Sequence, residues 1–550
     1  MNMQPDLIER SPNAYPYPLL IKSLLLSSLA TSPDQQIVYR DLRRHDYREF
    51  YRRVCRLASA LEALGVRPGD TVAMMDWDSH RYLECFFAVP MMGAVLQTVN
   101  IRLNPEQVLY TLNHARPKVA LVNSEFFDLL GVVHDRLESV ESLVLISDEA
   151  MPTVAPVPMT GDYEALLAAA TPHYDFPDFD ENTRATTFYT TGTTGLPKGV
   201  YFSHRQLVLH TLAETVAMAL SPQQGRLHRG DVYMPITPMF HVHAWGFPYA
   251  ATMAGLKQVY PGRYAPDVLL RLRASEGVTF SHCVPTILHM MLTHPEAQRH
   301  DLSGWKIIIG GSALSSGLAE MALARGLDVF TGYGMSETCP ILTLAHLKPD
   351  AQASGDKSVA TRVKTGLPVP LVDLRIVDSD MKDVDHDGKA SGEIVVRAPW
   401  LTQGYFRNPE ASRDLWAGGY LHTNDIATID GEGYVQVTDR LKDVIKTGGE
   451  WVSSLEVEDI LSQHPAVSEA AVIAVRDAKW GERPKALIVL KPGADATDVE
   501  EIRIFVKGFA DRGIISKFAV PSDISIVPNL LKTSVGKLNK KALREVYQGD

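Results

Sequence analysis

Residues 188–205 read FYTTGTTGLPKGVYFSHR, a strand-like start running into a threonine- and glycine-rich loop with a single lysine. Four threonines together with Gly192, Gly195 and Gly199 concentrate hydroxyl and amide donors beyond what an ordinary turn needs, which points to a loop that holds phosphate. It is not a Walker A loop. That motif requires a glycine five residues after the first and a Ser or Thr after the lysine. Counting from Gly192, Pro197 stands at the glycine position and has no N–H to donate, and Gly199 follows Lys198.

On either side of this loop the chain alternates helix and strand. From Tyr47 to Leu64 the apolar residues Phe50, Val54, Leu57, Ala58, Leu61 and Leu64 fall at helical spacing, with Gly65 as the stop. TVAMM then reads as a strand and 83–92 as a helix ending before Gly93. AVLQTV is a further strand, Asn104–Pro105 the cap and first turn of another helix, and VALV a strand again. KIIIGG (306–311) and LDVFTGYG (327–334) are strands that run into glycine-rich turns. The pattern predicts α/β domains with doubly wound parallel sheets whose ligands sit beyond the carboxyl ends of the strands. After about 365 the runs VDLRIVD, GEIVVRA and GYVQVTD predict a small β-rich subdomain. From DRLKDVIKTGGEWVSS onward the chain predicts a separate α+β domain, with the division at 1–439 and 440–550.

At 550 residues with a formal charge of −11, the chain is large enough for several cores and too acidic for nucleic acid to be its main partner. Cys55, Cys85, Cys283 and Cys339 have no metal-ligand spacing and read as isolated thiols of a reducing compartment. The amino terminus lacks a basic signal region. LLIKSLLLSSLATS, interrupted by Lys22, is too short to span a bilayer and reads as an amphipathic or docking helix. These features predict a cytoplasmic protein with no stable membrane span, at most peripheral at the inner face of a membrane.

YTTGTTGLPKG closely resembles the signature loop of the adenylate-forming superfamily, which includes acyl-CoA synthetases, peptide-synthetase adenylation domains and firefly luciferase. TGYGMSET (331–338), YLHTNDIATIDGEGYVQVTDRLKDVIKTGGEWVSSLEVE (420–458) and LKTSVGKLNKKAL (531–543) are similar to the later motifs of that family, in order. The resemblance implies activation of a carboxylate by ATP to an acyl-adenylate, then transfer to a thiol. A carboxylate is a poor acyl donor until AMP supplies a good leaving group, and the oxyanions brought together need cations fixed in advance.

The roles that follow are those the resemblance implies. Thr190, Thr191, Gly192, Thr193, Thr194 and Lys198 would hold the β- and γ-phosphates. In 331–338, Thr331 and Gly332 would border the nucleotide, Tyr333 would lie against adenine, and Ser336 would donate to the α-phosphate. Glu337, with Thr190, would hold Mg²⁺, a hard ion suited to oxygen donors. Gly311, Ser312 and Ala313 would give a close backbone approach to adenine, a plain strand-end turn being the alternative. Asp425 would accept from both ribose hydroxyls beside Arg440. Lys537 would bridge carboxylate and α-phosphate as a mobile point charge. The neighbouring Lys532, Lys540, Lys541 and Arg544 read as a solvated helical face. About a hinge at Lys442 the carboxyl-terminal domain would swivel to present Lys446, Gly448, Gly449 and Trp451 to CoA.

In PMFHVHAWGFPY (238–249), strand alternation would turn His241 and His243 to one face, but no third metal ligand is near. The resemblance makes His241 a carboxylate and nucleotide contact and Trp245, with Val242 and Gly246, the gate of an acyl pocket. Phe247, Tyr249, Met253 and CVPTILHMML (283–292) surround it with no obvious buried acid, so a neutral apolar tail is expected, each buried CH₂ contributing ~0.8 kcal/mol. The expected reaction is therefore that of a fatty-acid–CoA ligase for a medium- or long-chain acid, with CoA as co-substrate and a homodimeric state. A short thioether acid such as methylthiopropionate, or an aromatic acid, fits the same pocket. A luciferase-like oxygenase or a non-catalytic nucleotide-binding protein are the readings from other classes.

Overall fold

The helix Tyr47–Ala63 begins where the Asp46 side chain accepts the Glu49 N–H, and it buries Phe50, Val54, Leu57 and Leu61 along one stripe. This helix covers one face of a seven-stranded sheet in the computed structural model, which describes residues 7–148, 156–190, 196–348, 355–440, 442–447, 450–477, 479–494, 498–533 and 536–547, with backbone only at 355–357 and 450–451. In that sheet Thr71–Met75, Val95–Thr98, Pro117–Asn123, Ser142–Ile146 and Arg184–Tyr189 run parallel. Gly199–Ser203 returns antiparallel to Arg184–Tyr189 across the 188–205 segment. TVAMM is buried at every position because helices cover both faces.

A nine-stranded sheet forms the second layer. Its parallel centre contains Val232–Pro235, Phe280–Cys283, Lys306–Ile309 and Asp328–Gly334, as the sequence predicts for KIIIGG and LDVFTGYG. One large core cluster, including Phe86, Phe188, Phe240 and Phe330, joins the two layers. The segment around Lys22 is the helix Lys22–Thr31, which buries Leu24 and Leu25 and packs on the helix Phe247–Ala254, so it docks within the molecule. Among the described residues no helix is long and apolar enough to cross a membrane. All four cysteines are buried and free.

The predicted β-rich subdomain is a four-stranded antiparallel sheet of Asp373–Val377, Gly392–Arg397, Leu421–Ile429 and Val435–Arg440. Beyond it a separate sheet, built on Val467–Asp477 and Gly481–Leu490, closes its own core with the helices Ser454–Ser462 and Val499–Asp511. This small carboxyl-terminal domain docks on the large one. The Ser316 N–H donates to Asp459 Oδ1 (2.9 Å), and Thr286 Oγ1 donates to the Gly536 carbonyl (3.1 Å).

The expectation of a solvated basic face at the carboxyl end fails for two of its four members. Lys540 is buried with its ammonium 2.7 Å from Glu458 Oε1, and Arg544 is 2.7 Å from Asp443 Oδ1, whereas Lys532 is exposed and pairs with Glu469 Oε2 at 2.7 Å. A buried ammonium persists because acids from the facing elements meet it. Glu458 lies 82 positions before Lys540 and Asp443 101 positions before Arg544, too far for local spacing to suggest the pairing.

Candidate functional site

The phosphate-type loop is closed at its base by its own ends. The Thr190 N–H donates to the Lys198 carbonyl (3.0 Å), and the Lys198 N–H reaches Thr190 Oγ1 (3.4 Å). Gly199 packs closely beneath it, since a Cβ there would lie 3.1 Å from Phe406 Cβ and 3.2 Å from the Tyr189 ring. Thr191, Gly192, Thr193 and Thr194 lie outside the described residues. The Lys198 ammonium sits 4.5 Å above the Tyr405 ring, whose hydroxyl donates to Glu337 Oε1 (2.7 Å). Glu337 is buried, which raises its pKa against the opposing Tyr405 hydrogen bond and the nearby Lys198. A carboxylate and the Thr190 hydroxyl, linked through Lys198 and Tyr405, are hard oxygen donors that fit Mg²⁺.

A second group forms where Asp328–Gly334 approaches the four-stranded sheet. The Tyr333 hydroxyl donates to Asp425 Oδ2 (2.7 Å), and Arg440 Nε stands 3.3 Å from Oδ1. Burial raises the Asp425 pKa, and the Arg440 charge opposes it. Close approach of main chain is enforced nearby. A Cβ on Gly334 would fall 1.8 Å from the Pro340 carbonyl oxygen, and one on Gly332 2.7 Å from Ile308 Cγ2. Thr331 is buried in the same strand, Ser336 opens the short helix that carries Glu337, and Ser312 and Ala313 are exposed on the turn after Gly311.

Lys537 enters this cleft from the small domain. Its stem crosses Gly311, where φ is +80° and a Cβ would lie 2.9 Å from Lys537 Cε and 3.2 Å from Val284 Cγ1. Desolvation, reinforced by the Arg440 charge, pushes the Lys537 ammonium down to about 8, while Asp425 and Glu337 act in the opposite sense. His241 is pushed down to about 3 by burial, with Lys537 and Arg102 adding to the effect, so its imidazole is neutral at pH 7. The structure therefore brings Lys537, His241, Gly311, Asp425, Arg440 and Glu337 together from five separate stretches of sequence. Lys446 is not among them. It is exposed on the strand Ile445–Thr447 of the small domain, where its N–H donates to Glu482 Oε2 (2.8 Å). Lys442 is exposed in a turn just after Arg440. Gly448, Gly449 and the side chain of Trp451 lie outside the described residues.

The PMFHVHAWG stretch corrects the expectation of strand alternation. Val242, His243, Ala244, Trp245 and Gly246 take φ of +40°, +58°, +48°, +60° and +83°, a left-handed turn. His241 and His243 consequently part: His241 faces Lys537, while His243 is enclosed by Phe86, Phe188, Phe202 and Tyr249. Asp78 anchors the turn, accepting from the Met239 N–H (2.8 Å) and the Tyr264 hydroxyl (2.6 Å). Trp245 is buried with its ring 5.0 Å from His282, and its edge abuts Gly310, where a Cβ would lie 2.9 Å from Trp245 Cη2.

The expectation of no buried acid beside this pocket also fails. Glu214 is buried against Gly246, where a Cβ would lie 3.1 Å from its Oε1. Asp78, Tyr405, Thr286, His210 and Glu214 were not foreseen. Asp78 carried a signal, standing at the carboxyl end of the fully buried strand TVAMM. Glu214 carried a fainter one, as an isolated acid one turn after His210 in the apolar run LVLHTLAETVAMAL. Tyr405 and Thr286 carried none.

A loop base closed beside Lys198, a buried carboxylate met by a tyrosine and an arginine, and a lysine reaching in from the small domain are the parts expected of a nucleotide-using group-transfer protein. The chain belongs to the AMP-binding enzyme family, whose model matches residues 26–406, with the AMP-binding enzyme C-terminal domain at 456–537. It is 41% identical over 514 residues to a long-chain-fatty-acid–CoA ligase of Thermus thermophilus, covering 92% of this chain and 91% of that one. It is 35% identical to a 3-methylmercaptopropionyl-CoA ligase of Ruegeria lacuscaerulensis, over 96% and 98% of the two chains. The fold matches that of the anthranilate CoA ligase AuaEII in complex with anthranoyl-AMP, at a TM-score of 0.83 and 24% identity, covering 96% and 98%.

Proposed function

We propose that this chain is an AMP-forming acid–CoA ligase for carboxylic acids with a largely apolar tail. The observation that carries the proposal is Lys537 of the small domain lying across Gly311, beside neutral His241 and within the field of Asp425, Arg440 and Glu337. In the first half-reaction the carboxylate oxygen attacks the α-phosphorus of ATP and the bond to pyrophosphate breaks. Lys537 neutralises the two approaching anions, and Lys198 takes up charge on the departing one. Asp425 holds the ribose and Tyr333 the base. Glu337 and Thr190 would hold Mg²⁺, which would supply charge neutralisation to the phosphates. In the second half-reaction the CoA sulfur attacks the acyl carbonyl and AMP leaves.

The reaction requires the charge on Lys537 for the first step and an open approach to the carbonyl for the second. We therefore place the domain division at 439/440, with Lys442 as the hinge and Lys446, Gly448, Gly449 and Trp451 on the face turned toward CoA. The reading includes a homodimeric, cytoplasmic enzyme. Its test is AMP release dependent on both ATP and CoA, measured across carboxylic acids of increasing chain length. Release that rises with tail length supports the reading, and the absence of AMP with every acid overturns it.

A further inference from the structure

The helix His204–Leu220 buries His210 and Glu214 one turn apart. Neither carboxyl oxygen of Glu214 reaches solvent or a hydrogen-bond partner among the described residues. His210 Nε2 accepts the Ile341 N–H (3.2 Å), which leaves its proton on Nδ1. That nitrogen faces Glu214 Oε2 at 3.9 Å, outside hydrogen-bond reach. His243, whose field His210 feels, has both ring nitrogens buried and without a partner among the described residues. Buried polar groups persist when something satisfies them, and a leucine at 214 would otherwise suit this apolar helix better.

What these groups meet is set by their position. Lys537 lies over Gly311, Gly310 touches the edge of Trp245, and Gly246 follows Trp245 directly. A Cβ on Gly246 would lie 2.8 Å from His210 Cε1, 2.9 Å from its Nδ1 and 3.1 Å from Glu214 Oε1. The His210–Glu214 pair thus stands beyond Trp245 as seen from Lys537, where the tail of a carboxylate held at Lys537 would end.

The missing partner is uncharged. Burial holds Glu214 protonated and keeps His210 and His243 neutral, so an ammonium finds no carboxylate and a second carboxylate finds no cation. The pair offers O–H and N–H donors and a carbonyl acceptor, which complement a hydroxyl or keto oxygen. We propose that Glu214 and His210 form a hydrogen-bonding subsite at the far end of the acyl pocket, which selects acids bearing a hydroxyl or keto group in the tail. This rests on the acid–CoA ligase reading above.

The test compares kcat/KM, from AMP release by the full-length enzyme, for plain acids and their hydroxy, oxo, amino and dicarboxylic counterparts at each chain length. The wild type is expected to favour the hydroxy or oxo acid by about tenfold or more at the matching length. Glu214→Leu brings that ratio to about 1, whereas Glu214→Gln, which keeps a donor and an acceptor, retains most of it. Because a protonated buried carboxyl loses stability as pH rises above its unfolded value of about 4.3, both variants are expected to melt at or above the wild-type temperature at pH 7. A plain-chain or amino-acid preference at every length, or an unchanged ratio in Glu214→Leu, overturns the proposal. Absence of AMP from every acid instead overturns the ligase reading on which it stands.

Discussion

Lys537 and Glu214 are both titratable groups held out of water in one cleft, yet their surroundings are opposite. Around Lys537 stand Asp425, Glu337, Arg440 and His241: burial and the Arg440 charge push its pKa down to about 8, and the two carboxylates oppose that fall. Around Glu214 stand a neutral imidazole, a glycine backbone and apolar walls, and burial alone holds its proton in place. The first arrangement suits a group that must act on anions arriving from solution. The second suits recognition of an uncharged atom in a dry pocket, where an unmade hydrogen bond is costly and therefore discriminating. One cleft thus divides into an ionic end, which handles the nucleotide, and a neutral end, which handles the tail.

The sharpest way to break this contrast is Lys537→Ala. Acyl-adenylate formation, followed as pyrophosphate release, is expected to fall on the order of 10³-fold, while reaction of supplied acyl-AMP with CoA stays within a few-fold. Equal loss in both half-reactions would remove Lys537 from the ionic end. Asp425→Ala comes next: losing a charge-assisted acceptor of about 1.5–3 kcal/mol predicts a roughly 10- to 100-fold rise in the KM for ATP, with the KM for the acid little changed.

Gly310→Ala tests the boundary between the two ends. Its new Cβ must displace Trp245 or the Gly332 carbonyl, 2.7 Å away, and overpacking of this kind costs about 1–3 kcal/mol. Discrimination among tails is expected to change more than the KM for ATP, and a pure loss of ATP affinity would blur the boundary. The pH profile is a gentler probe. Because Lys537 acts as a cation and its pKa lies at about 8 in the free enzyme, kcat/KM for adenylation is expected to fall as pH rises through 8. In Lys537→Arg the fall shifts beyond that range, guanidinium remaining charged. The smallest effect is assigned to Thr286→Val, which removes the donor to the Gly536 carbonyl. A loss near 1 kcal/mol predicts a several-fold lower adenylation rate.

The ionic end was largely legible in the sequence because its parts are short contiguous strings. The threonine- and glycine-rich run from Thr190 to Lys198 with its single lysine is visible as one uninterrupted string. The strands that carry Gly311 and Tyr333 show themselves by buried apolar runs ending in glycine, and the helix from Tyr47 by its periodicity. The neutral end was not legible. His241 and His243 read as alternating until the left-handed turn separated them, a conformation that only the surrounding packing and Asp78, some 160 positions away, hold in place. Lys540 read as solvated until Glu458 met it.

By itself the sequence determined the alternation of strands and helices, the threonine- and glycine-rich loop with its one lysine and the presence of a second domain with a lysine-bearing segment. These depend on local propensity, periodicity and the chemistry of neighbouring residues. Only the tertiary structure decided that Lys537 crosses Gly311, that Tyr405 and Glu337 share a hydrogen bond, and that Glu214 has no partner among the described residues beside Gly246. Each of these is a contact between distant parts of the chain, and what a buried titratable group can do is fixed by which groups the fold sets against it.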